Sequence, residues 1–323
     1  MTSTATRESS SPPAVPGNNV RRRRGVPPIR RKEMLAGYGF VVPTVVLFVL
    51  FVGYPILRTV YLSTTEWSGF GEASFIGLEN YARAASDPVT RRAFLLTVAW
   101  ALVTTALQTA IPLVIAAMVA SVPGPISVLV RTALFMPGIV SFVVSGVLWR
   151  LIYDPNFGTL NAAIQNLGFE SFNHPWLGSA NSAIPALMVV AVWQGLGMSM
   201  LILFAGIQGI DPGLQEAAMV DGAGTLQRFR HVTLPSLRYV TAIVIALNLM
   251  NGFKVFDLIY VMTGGGPNNS TQVLGTYLYD LAFGSTSGSV PQLGYASGLS
   301  VIVMALCTVA VLFQMRLSRR ASR

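Results

Sequence analysis

The sequence predicts an all-α integral membrane protein with six transmembrane helices. Of its 323 residues, 52% are hydrophobic and 11% are charged, and the mean hydropathy is +0.58, a composition outside the range of soluble domains. Six apolar runs each exceed the roughly 20 helical residues that cross a bilayer. They cover residues 35–62, 93–120, 126–152, 183–207, 239–262 and 293–317.

The two ends of the chain are basic and polar. Residues 1–34 are predicted to form a disordered cytoplasmic tail, because they are rich in Ser, Pro and Arg and nearly free of apolar side chains. The apolar run that follows is too long for the core of a signal peptide, so it should remain as a transmembrane helix. A six-span domain then occupies residues 35–317, and residues 318–323 form a short basic cytoplasmic end.

The positive charges predict the orientation in the membrane. Sixteen of the 22 Lys and Arg residues fall on the side of the two termini, five fall on the opposite side, and Lys254 lies within a span. This bias predicts that both termini and the polar loop 211–235 are cytoplasmic. Contact with anionic membrane lipid explains the net charge of +9, so no nucleic-acid partner is expected.

The polar loop 211–235 predicts a helix, a glycine turn and a second helix. Asp211 is a suitable N-cap for the first helix, which should end at Gly222. Thr225 should cap the second helix, which runs through Phe229. The Leu-Pro pair that closes the segment predicts extended chain before the next span.

Within this loop, a set of residues at fixed spacing resembles the EAA loop of the permease subunits of ABC importers. The set is Glu216, Ala217, Ala218, Asp221, Gly222, Ala223, Phe229, Val232, Leu234 and Pro235. Small side chains let a helix end press closely into a groove, and charged residues such as Glu216 and Arg230 can pair across its rim. The resemblance implies docking on a separate ATPase. The alternative is a connector that only spaces two spans.

Further segments are similar to carbohydrate-type permeases, so that the resemblance covers residues 35–317. They are residues 75–81 in the first outer loop and residues 253–283 around the fifth span. The resemblance implies a transmembrane subunit of an ATP-driven importer for a sugar, a polyol or a sugar-phosphate-like solute in a prokaryotic plasma membrane. Its implied partners are a second homologous permease, two copies of an ATP-binding subunit and an extracytoplasmic solute-binding protein.

No catalytic or metal-binding constellation is present in the sequence. His174 and His231 fall in different loops, Cys307 is the only cysteine, and no Walker-type phosphate loop occurs. The chain is therefore predicted to be non-catalytic and to hold no cofactor, with ATP and Mg²⁺ bound by the partner subunits.

Polar side chains inside predicted spans are the candidates for a substrate path, because such residues are costly in the membrane. They are Trp193, Gln194 and Ser199 in the fourth span, and Asn248, Asn251, Lys254 and Asp257 in the fifth. In one continuous helix, Asn248 and Asn251 would share a face, as would Lys254 and Asp257. The alternatives are hydrogen bonds between helices for the two asparagines and an internal ion pair for Lys254 with Asp257.

A second function is a self-sufficient, ion-coupled secondary transporter, in which Lys254 and Asp257 would relay the ion. The absence of an obvious inverted repeat and the single intramembrane carboxylate make this function less favoured. The identity of the solute does not follow from the sequence.

Overall fold

The computed structural model of the chain describes residues 31–169, 171–284 and 290–321. Most of the predicted tail, residues 1–30, lies outside these ranges, and the first helix begins at Arg31, four residues before the predicted boundary. The chain divides into two units at Pro55. In the first unit, helix α1 (Arg31–Phe48) leads into a wide π-helical turn, Val49–Gly53.

The remaining elements are mostly helical. The helices are α2 Tyr54–Leu62, α3 Glu79–Ser86, α4 Pro88–Ala120, α5 Gly124–Ile139, α6 Phe142–Ile152, α7 Thr159–Asn166, α8 Ala183–Gln208, α9 Pro212–Val220, α10 Thr225–Arg228, α11 Leu234–Ser236, α12 Arg238–Phe253, α13 Asp257–Met262, α14 Leu274–Phe283 and α15 Leu293–Ala321. Two short strands, β1 Thr65–Glu66 and β2 Ser74–Phe75, pair antiparallel in the first loop.

Four described helices are long and apolar enough to cross a membrane as single rods: Tyr38–Leu62, Pro88–Ala120, Ala183–Gln208 and Leu293–Leu312. Two bent pairs raise the number to as many as six. In one pair α5 and α6 meet at 99°, and in the other Thr225–Ser236 meets α12 at 71°. The predicted class, an all-α membrane protein, is confirmed.

Helices α4 and α8 run parallel, so the chain must cross the membrane once more between them. The N-terminal half of α4 packs through Trp100 in a cluster with Leu187 of α8, and the C-terminal half packs through Leu113 in a cluster with Met200. The chain must therefore return to its starting end between Ala120 and Ala183. The bent pair α5–α6 makes that return, so it acts as one crossing.

The bend in that crossing corrects the prediction of a continuous helix over 126–152. Helix α5 ends at Ile139, and the extended Val140 (ψ 139°) precedes Ser141, which caps α6 by accepting a hydrogen bond from the amide of Val144. The amide of Gln194 on α8 donates to the carbonyl of Val140 at 2.6 Å. This bond satisfies a carbonyl that the bend leaves free.

Helix α12 packs antiparallel against α4 at very short range. The amide of Asn248 donates to the carbonyl of Gln108 at 3.1 Å, and a Cβ at Gly252 would lie 2.7 Å from the Cα of Ala101. Only glycine allows the two backbones to approach this closely.

The fifth crossing is also interrupted, which corrects the predicted helical run 239–262. Helix α12 ends at Phe253, residues 254–256 are not helical, and α13 begins at Asp257. The break packs against α14, where a Cβ on Gly275 would lie 2.6 Å from the carbonyl oxygen of Val255. Tertiary packing thus holds the chain out of the helical path at this point.

At the end of the bundle where α4 begins, the carboxylate of Asp87 links several helices. Asp87 caps α4 through the amide of Val89 and accepts hydrogen bonds from Thr90 (2.8 Å), Tyr277 (2.8 Å) and Tyr295 (3.1 Å). Partial burial acts to raise the pKa of Asp87, but these hydrogen bonds outweigh it and lower the pKa below its ordinary value. One carboxylate therefore joins α4, α14 and α15.

Replacing Asp87 by alanine should lower the stability of the protein by about 2–4 kcal/mol, because the cap is lost and buried hydroxyls lose their acceptor. The stabilisation depends on the ionised carboxylate, so it is present above about pH 4 and is lost as the pH falls through the lowered pKa. Thermal unfolding in detergent measures both effects. Asp154→Ala is the control, because that carboxylate accepts hydrogen bonds from the amides of Asn156 and Phe157 in its own turn and joins no helices. Equal losses in the two variants would contradict the prediction.

Candidate functional site

The 211–235 segment forms the predicted helix, turn and second helix. Asp211 accepts a hydrogen bond from the amide of Gly213 at 2.9 Å, which confirms the predicted cap of α9. Helix α9 ends at Val220, and Gly222 follows in the left-handed region with φ +80°. A side chain at Gly222 would meet no other atom within 4 Å, so the backbone angle alone requires glycine there.

Two details of the second helix differ from the prediction. Thr225 is the first helical residue and does not cap it; instead the amide of Gly224 donates to the side chain of Gln227 at 2.9 Å. Leu234 is helical (φ −61°, ψ −46°), so the predicted extended chain before Pro235 is wrong. The wide π-helical turn Phe229–Thr233 that precedes Pro235 accommodates its ring within a helical path.

The surface of this segment is exposed and carries unpartnered apolar side chains. Val220 is 88% exposed and Leu226 is 77% exposed, and Leu214 and Met219 are exposed as well. Glu216 is also exposed. Within residues 211–235, whose side chains the structure describes, no carboxylate lies within ion-pairing distance of an Arg or Lys, so the charges of this surface are available to a partner. Exposed apolar residues beside unpaired charges are typical of a docking surface.

The base of the segment is packed into the bundle. The side chain of Gln215 donates to Thr233 at 3.1 Å and so ties α9 to the π-helical turn. Leu237, where the chain bends into α12, is 1% exposed and packs in a cluster with Met200 and Val244. The segment is therefore in direct contact with α8 and α12, and a displacement of the segment would move both helices.

A cavity of about 260 Å³ lies between α4, α8 and the broken fifth crossing. It is lined by Trp100, Thr104, Gln108, Phe142, Ala191, Asn251, Gly252, Lys254, Val255, Phe256, Asp257 and Leu258. Three of the seven predicted path residues, Asn251, Lys254 and Asp257, are among them. All three are exposed in the single chain, so the cavity is open on one side.

Lys254 and Asp257 do not share a helical face, which corrects the prediction. Lys254 follows the last residue of α12 and Asp257 begins α13, so the break separates them. Their charged groups are more than 4.0 Å apart, and the ion pair considered as an alternative does not form. The two charges instead lie separately on the wall of the cavity.

The other four predicted path residues lie outside the cavity lining. Ser199 and Asn248 hydrogen-bond to each other at 3.2–3.3 Å, which matches the alternative of a contact between helices. Gln194 binds the carbonyl of Val140, as described above. Trp193 packs edge-on against Trp149, with ring centroids 5.5 Å apart.

Sequence reasoning missed the contribution of α4 to the cavity. Trp100, Thr104 and Gln108 come from a predicted span in which no polar residue was singled out. A signal was present, since Thr90, Thr97 and Thr104 recur every seven residues and all three are buried. This repeat marks the face of α4 that is turned toward its neighbours.

The two histidines and the acidic residues do not form a reactive centre in the described residues. His174 lies 2.9 Å from Ser182 in the loop before α8, and His231 contacts the backbone of Gln227 in the exposed segment. No group of three His, Cys, Asp or Glu side chains within the described ranges could hold a metal ion. The open cavity, whose lining combines apolar side chains with a few polar and charged ones, is suited to binding a solute.

A bundle of apolar crossings, with a cavity that carries polar side chains among them and an exposed pair of short helices at one end, is the architecture of a membrane transport subunit. Residues 38–323 match the family of binding-protein-dependent transport system inner membrane components, and the chain belongs to this family. The predicted family is thereby confirmed. Membership disfavours the alternative of a self-sufficient secondary transporter.

Several named relatives are similar over most of their length. The probable ABC transporter permease protein YurN of Bacillus subtilis is 35% identical, over 86% of this chain and 94% of that protein. The arabinooligosaccharides transport system permease protein AraP of Bacillus subtilis is 30% identical, over 88% of each chain. The trehalose/maltose transport system permease protein MalF of Thermococcus litoralis is 30% identical, over 90% of this chain and 96% of that protein.

Among solved structures, a chain of a bacterial ABC transporter that imports the acidic polysaccharide alginate has the same fold. Its TM-score is 0.78 at 23% identity, with 91% of this chain and 98% of that chain covered. A second structure of a bacterial alginate transporter, in complex with a pentasaccharide-bound periplasmic protein, gives a TM-score of 0.79 at 22% identity, over 91% and 97% of the two chains. The ABC importer permease fold is therefore confirmed.

Proposed function

We propose that the chain forms one half of the translocation path of an ATP-driven importer for a sugar or a related polyol or sugar-phosphate-like solute. The observation that carries this proposal is the exposed 211–235 segment, whose base is packed on the helices that line the polar cavity. The segment can receive a mechanical input from a partner at one end, and the cavity can hold a solute among the same helices. The alternative, a passive spacer, would not need an exposed apolar and charged surface.

The relatives and the cavity support a sugar as the solute class. The names of three relatives refer to arabinooligosaccharides, multiple sugars, and trehalose or maltose. The cavity offers the amides of Gln108 and Asn251, the hydroxyl of Thr104 and the ring of Phe256. Amide and hydroxyl groups pair with sugar hydroxyls, and an aromatic face suits the apolar face of a sugar ring.

The open side of the cavity supports a second, homologous permease as the other half of the path. Asn251, Lys254 and Asp257 are exposed in one chain and would be enclosed by such a partner. A solute-binding protein would deliver the solute at the outer surface, as the family description implies. Two ATP-binding subunits would hold ATP and Mg²⁺, and this chain would take no part in the hydrolysis.

The charge bias and the packing together support one orientation in the membrane. Because α4 and α8 run parallel, the 211–235 segment lies at the end of these helices opposite Asp87. With both termini in the cytoplasm of a prokaryotic cell, the segment faces the nucleotide and the Asp87 end faces outward. Closure of the ATP-binding subunits would then move the segment and tilt α8 and α12, exposing the cavity to each side in turn.

Gly222→Val should reduce ATP-dependent uptake at least about tenfold, because a β-branched residue at φ +80° costs roughly 1–2 kcal/mol and distorts the docking turn. Gly222→Asn should retain most of the activity, since Asn tolerates the left-handed region. Uptake of labelled maltose, trehalose and arabinotriose by proteoliposomes of the whole complex measures the effect. Co-purification of the ATP-binding subunit reports docking.

The matched control is Gly71→Val, at a glycine with φ +71° and equally open surroundings in the first loop. It should leave uptake near the wild-type rate, because it lies outside the docking surface. Wild-type uptake and association in Gly222→Val would show that the coupling assignment is wrong. Uptake driven by an ion gradient in liposomes that contain this chain alone would favour the secondary transporter.

A further inference from the structure

Four aromatic side chains form a continuous row beside the cavity. The ring centroids of Phe256 and Tyr260 are 5.1 Å apart, those of Tyr260 and Tyr279 are 4.8 Å apart, and those of Tyr279 and Phe283 are 4.8 Å apart. Phe256 also lies 5.2 Å from Tyr279. We name these four residues, from the break, α13 and α14, the aromatic row.

The row begins at the cavity and extends toward the end of the bundle that carries Asp87. Phe256 lines the cavity together with Trp100 of α4. Tyr277, only two residues before Tyr279, donates a hydrogen bond to Asp87 at the start of α4. Phe256 lies 5.2 Å from Tyr279, and Tyr279 lies 4.8 Å from Phe283, so the row covers the part of the bundle next to the cavity on its proposed outer side.

Two rings of the row are exposed, and the other two, those of Phe256 and Tyr279, are half-buried. Phe283 is 71% exposed and Tyr260 is 40% exposed, whereas Trp100 in the core cluster is 2% exposed. Two of the four rings carry hydroxyl groups. The carboxylate of Asp280 lies next in sequence to Tyr279 and accepts a hydrogen bond from Gln272 at 2.8 Å. Ring faces with hydroxyl and carboxylate groups beside them match the alternating apolar and polar surface of a sugar.

We propose that the aromatic row is a stacking surface on the proposed outer side of the cavity, which the sugar rings of the transported solute contact as they enter the cavity. This inference rests on the proposed function and adds residues outside the cavity to the path. A row of neighbouring rings lets a sugar move from one contact to the next, because each step replaces one stacking contact by another of similar strength. The continuity of the row with the polar cavity favours the solute as its occupant.

The experiment uses the whole complex in proteoliposomes, with its solute-binding protein and labelled maltose, trehalose and arabinotriose as probes. Tyr279→Leu and Phe283→Leu remove a ring but keep an apolar side chain, whereas Tyr279→Phe keeps the ring. Phe157→Leu is the matched control, because Phe157 is 69% exposed and belongs to the connection between α6 and α7. The size of the complex in detergent is measured for every variant.

We expect Tyr279→Leu and Phe283→Leu to lower the maximal uptake rate about threefold to tenfold, and Tyr279→Phe and Phe157→Leu to leave it near the wild-type value. Unchanged uptake in both leucine variants of the row would overturn the inference. Loss of the second permease from these variants would also overturn it, in favour of a subunit interface. If the wild-type complex imports none of the sugars, the proposed function is wrong. If the wild-type complex and the leucine variants import them at the same rate, the proposed function stands and only the role of the aromatic row is wrong.

Discussion

Replacing Val220 by aspartate should abolish transport, with a loss of at least about 100-fold, while the permease itself remains folded. Val220 is 88% exposed at the end of α9, next to the left-handed turn at Gly222, so the bundle does not depend on it. In the proposed complex this side chain is buried against an ATP-binding subunit. A carboxylate placed there would lose its hydration without gaining a partner, at a cost of several kcal/mol.

ATP-dependent uptake and co-purification of the ATP-binding subunit measure this effect. Leu167→Asp serves as the control, because Leu167 is 79% exposed and directly follows α7 in the connection that precedes α8. Its substitution should leave docking of the ATP-binding subunit intact. Retention of the ATP-binding subunit by Val220→Asp, with normal uptake, would place the docking surface elsewhere on the chain.

Replacing Gly252 by leucine should destabilise the bundle by more than about 3 kcal/mol, because the new Cβ would meet the α4 backbone and force the helices apart. The nearest atoms are the Cα of Ala101 at 2.7 Å and its Cβ at 3.0 Å. The displacement would also break the bond from Asn248 to the carbonyl of Gln108 and leave both groups without partners.

Thermal unfolding of the isolated chain in detergent, followed by circular dichroism, measures this loss. Gly39→Leu is the control, because Gly39 lies within α1 and a Cβ there would meet nothing within 4 Å. It should change the midpoint by no more than a few degrees. A Gly252→Leu variant that unfolds at the wild-type temperature would mean that α4 and α12 are not in close contact.

The exposed segment could be predicted in most respects because its signals are local. The cap at Asp211 and the end of α9 near Gly222 depend on residues within a few positions, and both were predicted from the sequence. The helical conformation of Leu234 was missed because the rule for the residue before proline is a steric preference, which the structure overrides at this position. The wide turn Phe229–Thr233 that precedes it is not predicted by local sequence rules either.

The two interruptions of the membrane helices were missed, because the length of each hydrophobic run was given more weight than the signals inside it. Pro137 and Gly138 precede the first bend, and Ser141 caps the helix after it. The contact that satisfies the bend comes from Gln194, which is 54 residues away from Val140. The break after Phe253 likewise depends on the close approach of Gly275 in α14. Contacts between distant segments outweigh local helix preference in both places.

The lining of the cavity was predicted only in part. A sequence shows which residues inside a span are polar, but it does not show which way their side chains point. Asn251, Lys254 and Asp257 line the cavity, whereas Asn248 faces α4 and α8 although it lies only one turn from Asn251. A single sequence gives the spacing of these residues on a helix. It does not reveal which neighbouring helix each one contacts.

The hydrogen bonds around Asn248 have a consequence for the transport cycle. Asn248 hydrogen-bonds to both Gln108 and Ser199, and the side chain of Gln108 donates to the carbonyl of Ala191 at 2.8 Å. These bonds join α4, α8 and α12. These three helices should consequently move as one rigid body during the transport cycle. Spin labels on α4 and α12 would keep one separation through every nucleotide state, while the distance from either label to its counterpart in the opposite permease would change.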